Sequence, residues 1–313
     1  MSDDATLNEI RRAAFELRMT DPQEAVRVLR RAAGKGGEAE VLARGALGEI
    51  YLEDLGDLDG AEHEFRRVLQ LAPGLAAAEL GLARTLREAG DDGEAEQRFA
   101  AAQASLAREA RGFFGEQELP AGVEEIVLTM LETAAELARL RHQMQGDGEP
   151  QVVVDQEVLD WAAQARIFDS EEGDDEDWAR FYALSTELLL LGARSGAALK
   201  LLTEAEAGNR LSPAQAARLR SDVYEELGET ANAGAEARKS LEALSLPWPT
   251  SDVVRAAHLL GTSGRDLLER ALTDLNTRLP ESSGESREEL EAEAAALREA
   301  LGTRPLVGLG RKL

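Results

Sequence analysis

A repeat with a period of 34 residues constrains the fold of this chain more than any other feature. Within residues 41–105, small and large apolar residues return at the same offsets. This periodicity indicates a stack of short helical hairpins, because each hairpin buries its apolar face only against a neighbouring copy. The repeated positions are Gly56, Ala61, Phe65 and Val68, and then Gly90, Ala95, Phe99 and Ala102.

The small residues of the repeat predict how each hairpin is built. Gly56 and Gly90 are placed to end the first helix of a hairpin, because glycine readily adopts the conformation that follows a helix C-terminus. Ala61 and Ala95 are expected where the two helices cross closely. A larger side chain there would overpack the crossing and cost about 1–3 kcal/mol.

This segment resembles the tetratricopeptide repeat (TPR) family. The resemblance implies an all-α fold, a superhelical array of antiparallel helix hairpins that forms a TPR-like α-solenoid. It also implies binding of proteins rather than catalysis. The residues that carry it are Leu47, Gly48, Tyr51, Gly56, Ala61, Phe65 and Pro73, and then Leu82, Ala83, Leu86, Gly90, Ala95 and Phe99.

The pattern divides the chain into four parts. Residues 1–110 are expected to hold N-terminal TPR-like repeats, and 177–301 further repeats with a capping helix. Residues 111–176 are expected to form an irregular connector with spacer helices, either worn repeats or an insertion. Residues 302–313 form a basic and apolar tail, which either docks on the chain itself or binds a partner.

The first hairpin of the N-terminal part is degenerate. Phe15 and Ala25 each lie 36 residues before their counterparts Tyr51 and Ala61, so the internal spacing of the two hairpins is equal. The first hairpin is therefore interpreted as a worn copy of the second.

Composition narrows the class of protein and of partner. A net charge of −25 argues against nucleic acid, whose phosphates would be repelled. The chain has no cysteine, so it has no disulfide and no thiolate metal site. No secretory signal is evident, and no apolar stretch approaches the roughly 18 residues needed to span a bilayer. A soluble protein of the bacterial cytoplasm is expected, without membrane insertion.

No pattern of residues indicates a catalytic or metal site. His63, His142 and His258 lie far apart in the sequence, and none has a second ligand at metal-binding spacing. The acidic run at 169–177 misses the spacing of a calcium loop, and the glycines at 34–37 miss that of a phosphate-binding loop. The chain is predicted to be no enzyme and to need no cofactor.

The first helices of successive hairpins are the predicted partner-binding surface, because the resemblance implies that they line the concave side of the array. Arg84 and Arg87 share one helical face with Leu80. They are expected either to contact an acidic or amphipathic peptide or to pair with Glu49 and Glu53. The predicted partner-binding residues are Leu42, Glu49, Leu52, Leu80, Arg84, Arg87, Tyr182, Thr186, Leu189 and Leu190, with Arg218, Asp222, Glu225 and Glu226 as further groove residues.

The leading functional hypothesis is a non-enzymatic scaffold or adaptor that binds a partner protein or peptide in this groove. Two alternatives are a dedicated chaperone or inhibitor of one client, and a regulator that responds to a peptide or small ligand. Some TPR proteins grip a C-terminal carboxylate with lysine and asparagine, but the corresponding positions here hold neither. The sequence leaves the partner and the oligomeric state open.

Overall fold

The fold is described from a computed structural model. The structure describes residues 3–113, 123–145, 154, 156–162, 175–282 and 285–302. Within these residues there is no strand and most of the chain is helical, which confirms the predicted all-α repeat fold. The chain divides into two compact units, Met1–Val158 (unit 1) and Leu159–Leu313 (unit 2).

Unit 1 is a series of helices in which each helix from α2 to α7 packs on the next along the chain. This order is that of antiparallel hairpins, as the 34-residue period predicts. A ninth helix, α9 (Gln156–Ala162), crosses the boundary with unit 2. The helices of unit 1 are α1 (Asp3–Arg12), α2 (Arg18–Thr20), α3 (Pro22–Ala33), α4 (Gly37–Glu49), α5 (Leu58–Leu71), α6 (Ala76–Ala89), α7 (Asp92–Phe113) and α8 (Val123–Gln145).

Repeated residues mark the ends and the starts of these helices, and the predicted helix end at Gly90 is confirmed. Gly90 adopts a left-handed conformation, with φ of 83°, and its N–H donates to the carbonyl of Arg87 at the end of α6. Asp57 and Asp91 then cap the helices that follow, because each carboxylate accepts a hydrogen bond from a backbone N–H in the first turn. The turn at 34–37 joins α3 to α4.

Small residues let the helices of unit 1 approach closely. Ala61 and Ala95 are completely buried. The ring of Phe65 lies between Gly48 on α4 and Gly81 on α6, where an added Cβ would come within 2.7 Å and 2.4 Å of ring carbons. The glycines therefore form the two walls of the slot that holds the ring.

The first helices of two hairpins contain one residue more than that of the third. Leu47 and Leu82 are 35 residues apart, whereas Ala61 and Ala95 are 34 apart. The extra residue lies before Ala61 and coincides with a π-helical segment, Ile50–Asp54, that follows α4. A π-helical turn takes up a single extra residue without ending the helix. The first hairpin carries a matching π-helical segment, Ala13–Leu17, between α1 and α2.

The equal spacing of Phe15 and Tyr51 does not give them equal environments. The Tyr51 side chain is buried, and its hydroxyl accepts a hydrogen bond from Arg30 of α3, in the preceding hairpin. Phe15 is 75% exposed. No described helix precedes α1, so nothing in the described part of the chain covers Phe15 in the way that α3 covers Tyr51.

Unit 2 repeats the hairpin pattern. Consecutive helices again pack on one another, and the first helices α10 and α12 also contact each other. The last helix, α16, buries Ala294 and Leu297 in the core that it shares with α14 and α15. The helices are α10 (Asp175–Leu191), α11 (Ser195–Ala207), α12 (Pro213–Glu226), α13 (Thr230–Glu242), α14 (Thr250–Leu260), α15 (Arg265–Arg278) and α16 (Glu285–Gly302).

Two sequence features fall largely outside the described residues. The acidic run at 169–177 is described only from 175 onward, where it joins α10. The basic and apolar tail at 302–313 is described only at its first residue.

Candidate partner-binding surfaces

The arginines of the predicted groove in unit 1 already have a partner. Arg84 donates to Oε1 of Glu136 on α8 from Nε at 3.0 Å and from Nη2 at 2.6 Å. Arg87 donates to the other oxygen, Oε2, at 2.8 Å. Desolvation lowers the pKa of Arg84, but its hydrogen bond with Glu136 and the negative charge there outweigh this effect and raise it. These arginines thus pair with a glutamate, but with Glu136 rather than Glu49 or Glu53.

The acidic residues at the end of α4 and in the π-helical segment after it pair with an arginine of the preceding hairpin. Arg18 on α2 donates from Nε to Asp54 at 2.6 Å, bonds Glu53, and lies 3.6 Å from the carboxylate of Glu49. The Glu49 side chain is 55% exposed, yet desolvation by the surrounding protein raises its pKa.

Charges of alternating sign therefore cross the first helices of unit 1, and we call this row the ion-pair ladder. Its charges compensate each other, which leaves little for a charged partner to neutralise. The members of the ion-pair ladder are Arg18, Glu49, Glu53, Asp54, Arg84, Arg87 and Glu136.

Half of the predicted partner-binding residues have buried side chains. Leu52 and Leu80 belong to the core of unit 1, while Leu42 is 46% exposed. In unit 2, Leu189 is completely buried, and Tyr182 stacks on Trp178 with a centroid distance of 5.8 Å. These buried side chains pack the hairpins together and are not presented on the surface.

An open cleft lies between the first helices of unit 2, and we call it the α10–α12 cleft. It has a volume of about 540 Å³. Four of the residues predicted for the groove line it: Leu190, Arg218 and Asp222, and Thr186, which is buried in its wall. The lining residues are Ala179, Ala183, Thr186, Glu187 and Leu190 from α10, and Leu211, Gln215, Arg218, Leu219 and Asp222 from α12 and the residues before it.

Some polar groups of the α10–α12 cleft have a hydrogen-bond or ion-pair partner in the described chain, and others have none. Oδ1 of Asp222 lies 2.5 Å from Nη2 of Arg255. Burial raises the pKa of Asp222, against the opposing charges of Arg255 and Arg218. Arg218 is exposed and makes no hydrogen bond or ion pair with any described residue. The hydroxyl of Thr186 is buried without a hydrogen-bond partner in the described chain.

The sequence predicted some of the residues that line the α10–α12 cleft and missed others. The repeat spacing places Thr186, Leu190 and Arg218 on first helices, and all three line the cleft. Leu211 and Leu219 were missed. Leu211 precedes the cap residue of α12 rather than lying within a periodic helix, so no helical spacing could single it out.

Neither metal binding nor membrane insertion has support in the described residues. They contain no group of three or more His, Cys, Asp or Glu side chains arranged to hold a metal ion. None of the described helices is both long enough and apolar enough to cross a membrane.

Comparison with known proteins gave similar solved structures at low sequence identity. No curated protein matches the chain. Similar solved structures include a tetratricopeptide repeat protein from Parabacteroides merdae, with 13% identity, a TM-score of 0.48, and coverage of 94% of this chain and 99% of that one. The RpL4 assembly chaperone Acl4 shows 19% identity and a TM-score of 0.47, covering 95% of this chain and 96% of its own. Pseudomonas aeruginosa PilF shows 18% identity and a TM-score of 0.42, covering 85% and 99%.

The profile of the tetratricopeptide repeat family matches residues 52–112. This range contains α5, α6 and α7. The chain therefore carries a tetratricopeptide repeat segment at residues 52–112, as its sequence resemblance indicated.

Proposed function

We propose that this protein is a non-enzymatic scaffold or adaptor that docks a segment of a partner protein in the α10–α12 cleft. Tetratricopeptide repeats commonly mediate contacts between proteins. The observation that carries the proposal is the contrast between the two sets of first helices. Arg84 and Arg87 in unit 1 share the carboxylate of Glu136, whereas Arg218 in unit 2 lies beside an open cleft and makes no hydrogen bond or ion pair with any described residue.

The cleft has the size and lining of a side-chain pocket. Its volume of about 540 Å³ is within the usual range of about 300–1,000 Å³ for ligand sites. Leu190, Leu211 and Leu219 offer apolar surface. A partner residue such as leucine gains about 1.5–3 kcal/mol when its side chain leaves water for such a surface.

The ion-pair ladder is a poorer site for the same partner. A peptide that used Arg84 or Arg87 would have to displace Glu136, whose side chain is only 12% exposed. Separating a buried carboxylate from its cations leaves it without compensation, which is strongly unfavourable.

The test is affinity capture from the native host with the full chain, comparing wild type with Ala183→Glu. Ala183 is exposed in the cleft, so a longer charged side chain there would obstruct it without entering the core. The matched control is Ala235→Glu, at an exposed alanine of α13. We expect the partner to be lost with Ala183→Glu and kept with Ala235→Glu.

The same capture separates the functional classes. Several partners lost together would support an adaptor, whereas one stoichiometric partner would support a dedicated chaperone or inhibitor. Partners that persist in Ala183→Glu would refute docking in the α10–α12 cleft. We place this activity in the cytoplasm, which cell fractionation would check.

A further inference from the structure

Arg218 points to the chemistry of the segment that occupies the α10–α12 cleft. Building on the proposed function, we infer that this segment presents one carboxylate to Arg218 beside an apolar side chain that fills the cleft. The expected ligand is thus a short peptide that pairs a leucine-like residue with a single aspartate or glutamate.

The Arg218 guanidinium is exceptional in a chain that is rich in carboxylates. The chain has 60 acidic and 35 basic side chains, so carboxylates are in excess. Arg220, two residues away, contacts both Glu206 and Glu236. Arg218 has no carboxylate within ion-pair distance among the described residues, although it stands at the edge of a cleft. A guanidinium binds a carboxylate through two parallel hydrogen bonds, so it is suited to receive one from a partner.

Asp222 is the carboxylate nearest to Arg218 along α12. Asp222 lies one turn away but is bound by Arg255, which also bonds Glu225 at 2.6 Å. Arg255 therefore engages two of the three acidic residues of α12. A carboxylate from outside meets no internal competitor that is already bonded to Arg218.

The charge of the whole chain limits the charge of the ligand. Because the net charge is −25, a run of acidic residues would be repelled. A single carboxylate in an apolar sequence meets Arg218 and leaves the rest of the cleft to apolar contact.

The test uses two synthetic peptide pools that differ in one atom group. Both are twelve residues long, acetylated and amidated, with a central Leu-x-x-Asp in one pool and Leu-x-x-Asn in the other, and with uncharged random flanks. Binding to the full chain is measured by fluorescence anisotropy. Because Arg218 is exposed, an ion pair with it predicts that the aspartate pool binds about 1.5- to 5-fold more tightly.

Matched variants decide whether Arg218 is the cause. Arg218→Gln is expected to remove the preference for aspartate, and Arg31→Gln, at an exposed arginine of α3, is expected to keep it. Equal affinity for the two pools, no binding of either, or a preference that survives Arg218→Gln would overturn the inference. If both pools bind equally and Ala183→Glu abolishes both, the docking site stands and only its acidic chemistry is wrong.

Discussion

The Nη2 atom of Arg84 lies 2.6 Å from the Oε1 atom of Glu136, although the two residues are 52 positions apart in the sequence. This contact connects α6 to α8, beyond the residues that match the repeat profile. Through it, α8 compensates the positive charge on the first helices of unit 1, as a partner would otherwise do.

Removing the carboxylate of Glu136 is expected to destabilise unit 1. In Glu136→Gln, Arg84 and Arg87 keep their partly buried positions but lose their shared anion, at a cost of about 1–3 kcal/mol. Urea unfolding followed by circular dichroism would show an earlier transition. Glu88→Gln, at an exposed glutamate of α6 with no ion pair in the described chain, is the control and should unfold as wild type. Equal midpoints for both variants would contradict a structural role for Glu136.

The slot that holds Phe65 predicts a second effect. Gly81→Ala would place a methyl group 2.4 Å from the ring, so the helices must shift, at about 1–3 kcal/mol. Gly45→Ala is the control, since a Cβ there has no neighbour within 4 Å, and alanine favours the helix by up to about 1 kcal/mol. In the double variant Gly81→Ala/Phe65→Leu the loss in thermal melting temperature should be less than the sum of the single losses.

The exposure of Phe15 predicts that the two aligned aromatics differ in their contribution to stability. Phe15→Ala should change the free energy of unfolding by no more than about 0.5 kcal/mol, as at other surface sites. Tyr51→Ala should cost about 3–5 kcal/mol, because it removes a buried ring. Denaturant titration of both variants checks this. A large loss for Phe15→Ala would mean that the ring is covered by a surface outside the described residues.

The sequence predicts the hairpins well because their signals are local. Glycine at 90 and alanine at 61 and 95 report a helix end and two close crossings, and each depends only on backbone conformation or on immediate neighbours. The exposure of the Phe15 side chain could not be predicted in this way. It depends on whether another helix lies outside α1, and the spacing of residues within a hairpin does not contain that information.

The candidate site was only partly predictable for a related reason. Periodicity identifies first helices, so Thr186, Leu190 and Arg218 could be named in advance. It does not separate the inner face of a helix from the adjacent core face. For this reason Leu52, Leu80, Tyr182 and Leu189 were assigned to the binding surface although their side chains are buried. The partner of Arg84 lies in α8, outside the clear repeats, so no repeat spacing relates it to Arg84.

The pH dependence of stability supplies the last prediction. Arg238 holds Asp266 with hydrogen bonds of 2.8 Å and 2.6 Å, and these bonds lower the pKa of Asp266. A carboxyl group whose pKa is lower in the folded state stabilises the fold above its unfolded value, near 3.8, and loses that contribution as the pH falls through the folded value. Because the Asp266 side chain is 51% exposed, the effect at neutral pH is expected to be only about 0.2–1 kcal/mol.

Asp266→Asn should therefore be less stable than wild type at pH 7, with the difference shrinking below about pH 4. Chemical unfolding between pH 3 and 7 measures this, and Glu226→Gln, at an exposed glutamate without an ion pair in the described chain, is the control. Asp222 should behave in the opposite sense, because burial raises its pKa and its ionised form is the less favoured one in the fold. Between its unfolded and folded pKa values the native state binds more protons, so its contribution to stability falls as the pH rises through that window. A destabilisation of Asp266→Asn that is the same at pH 3 and pH 7 would show that the loss comes from packing and not from the ion pair with Arg238.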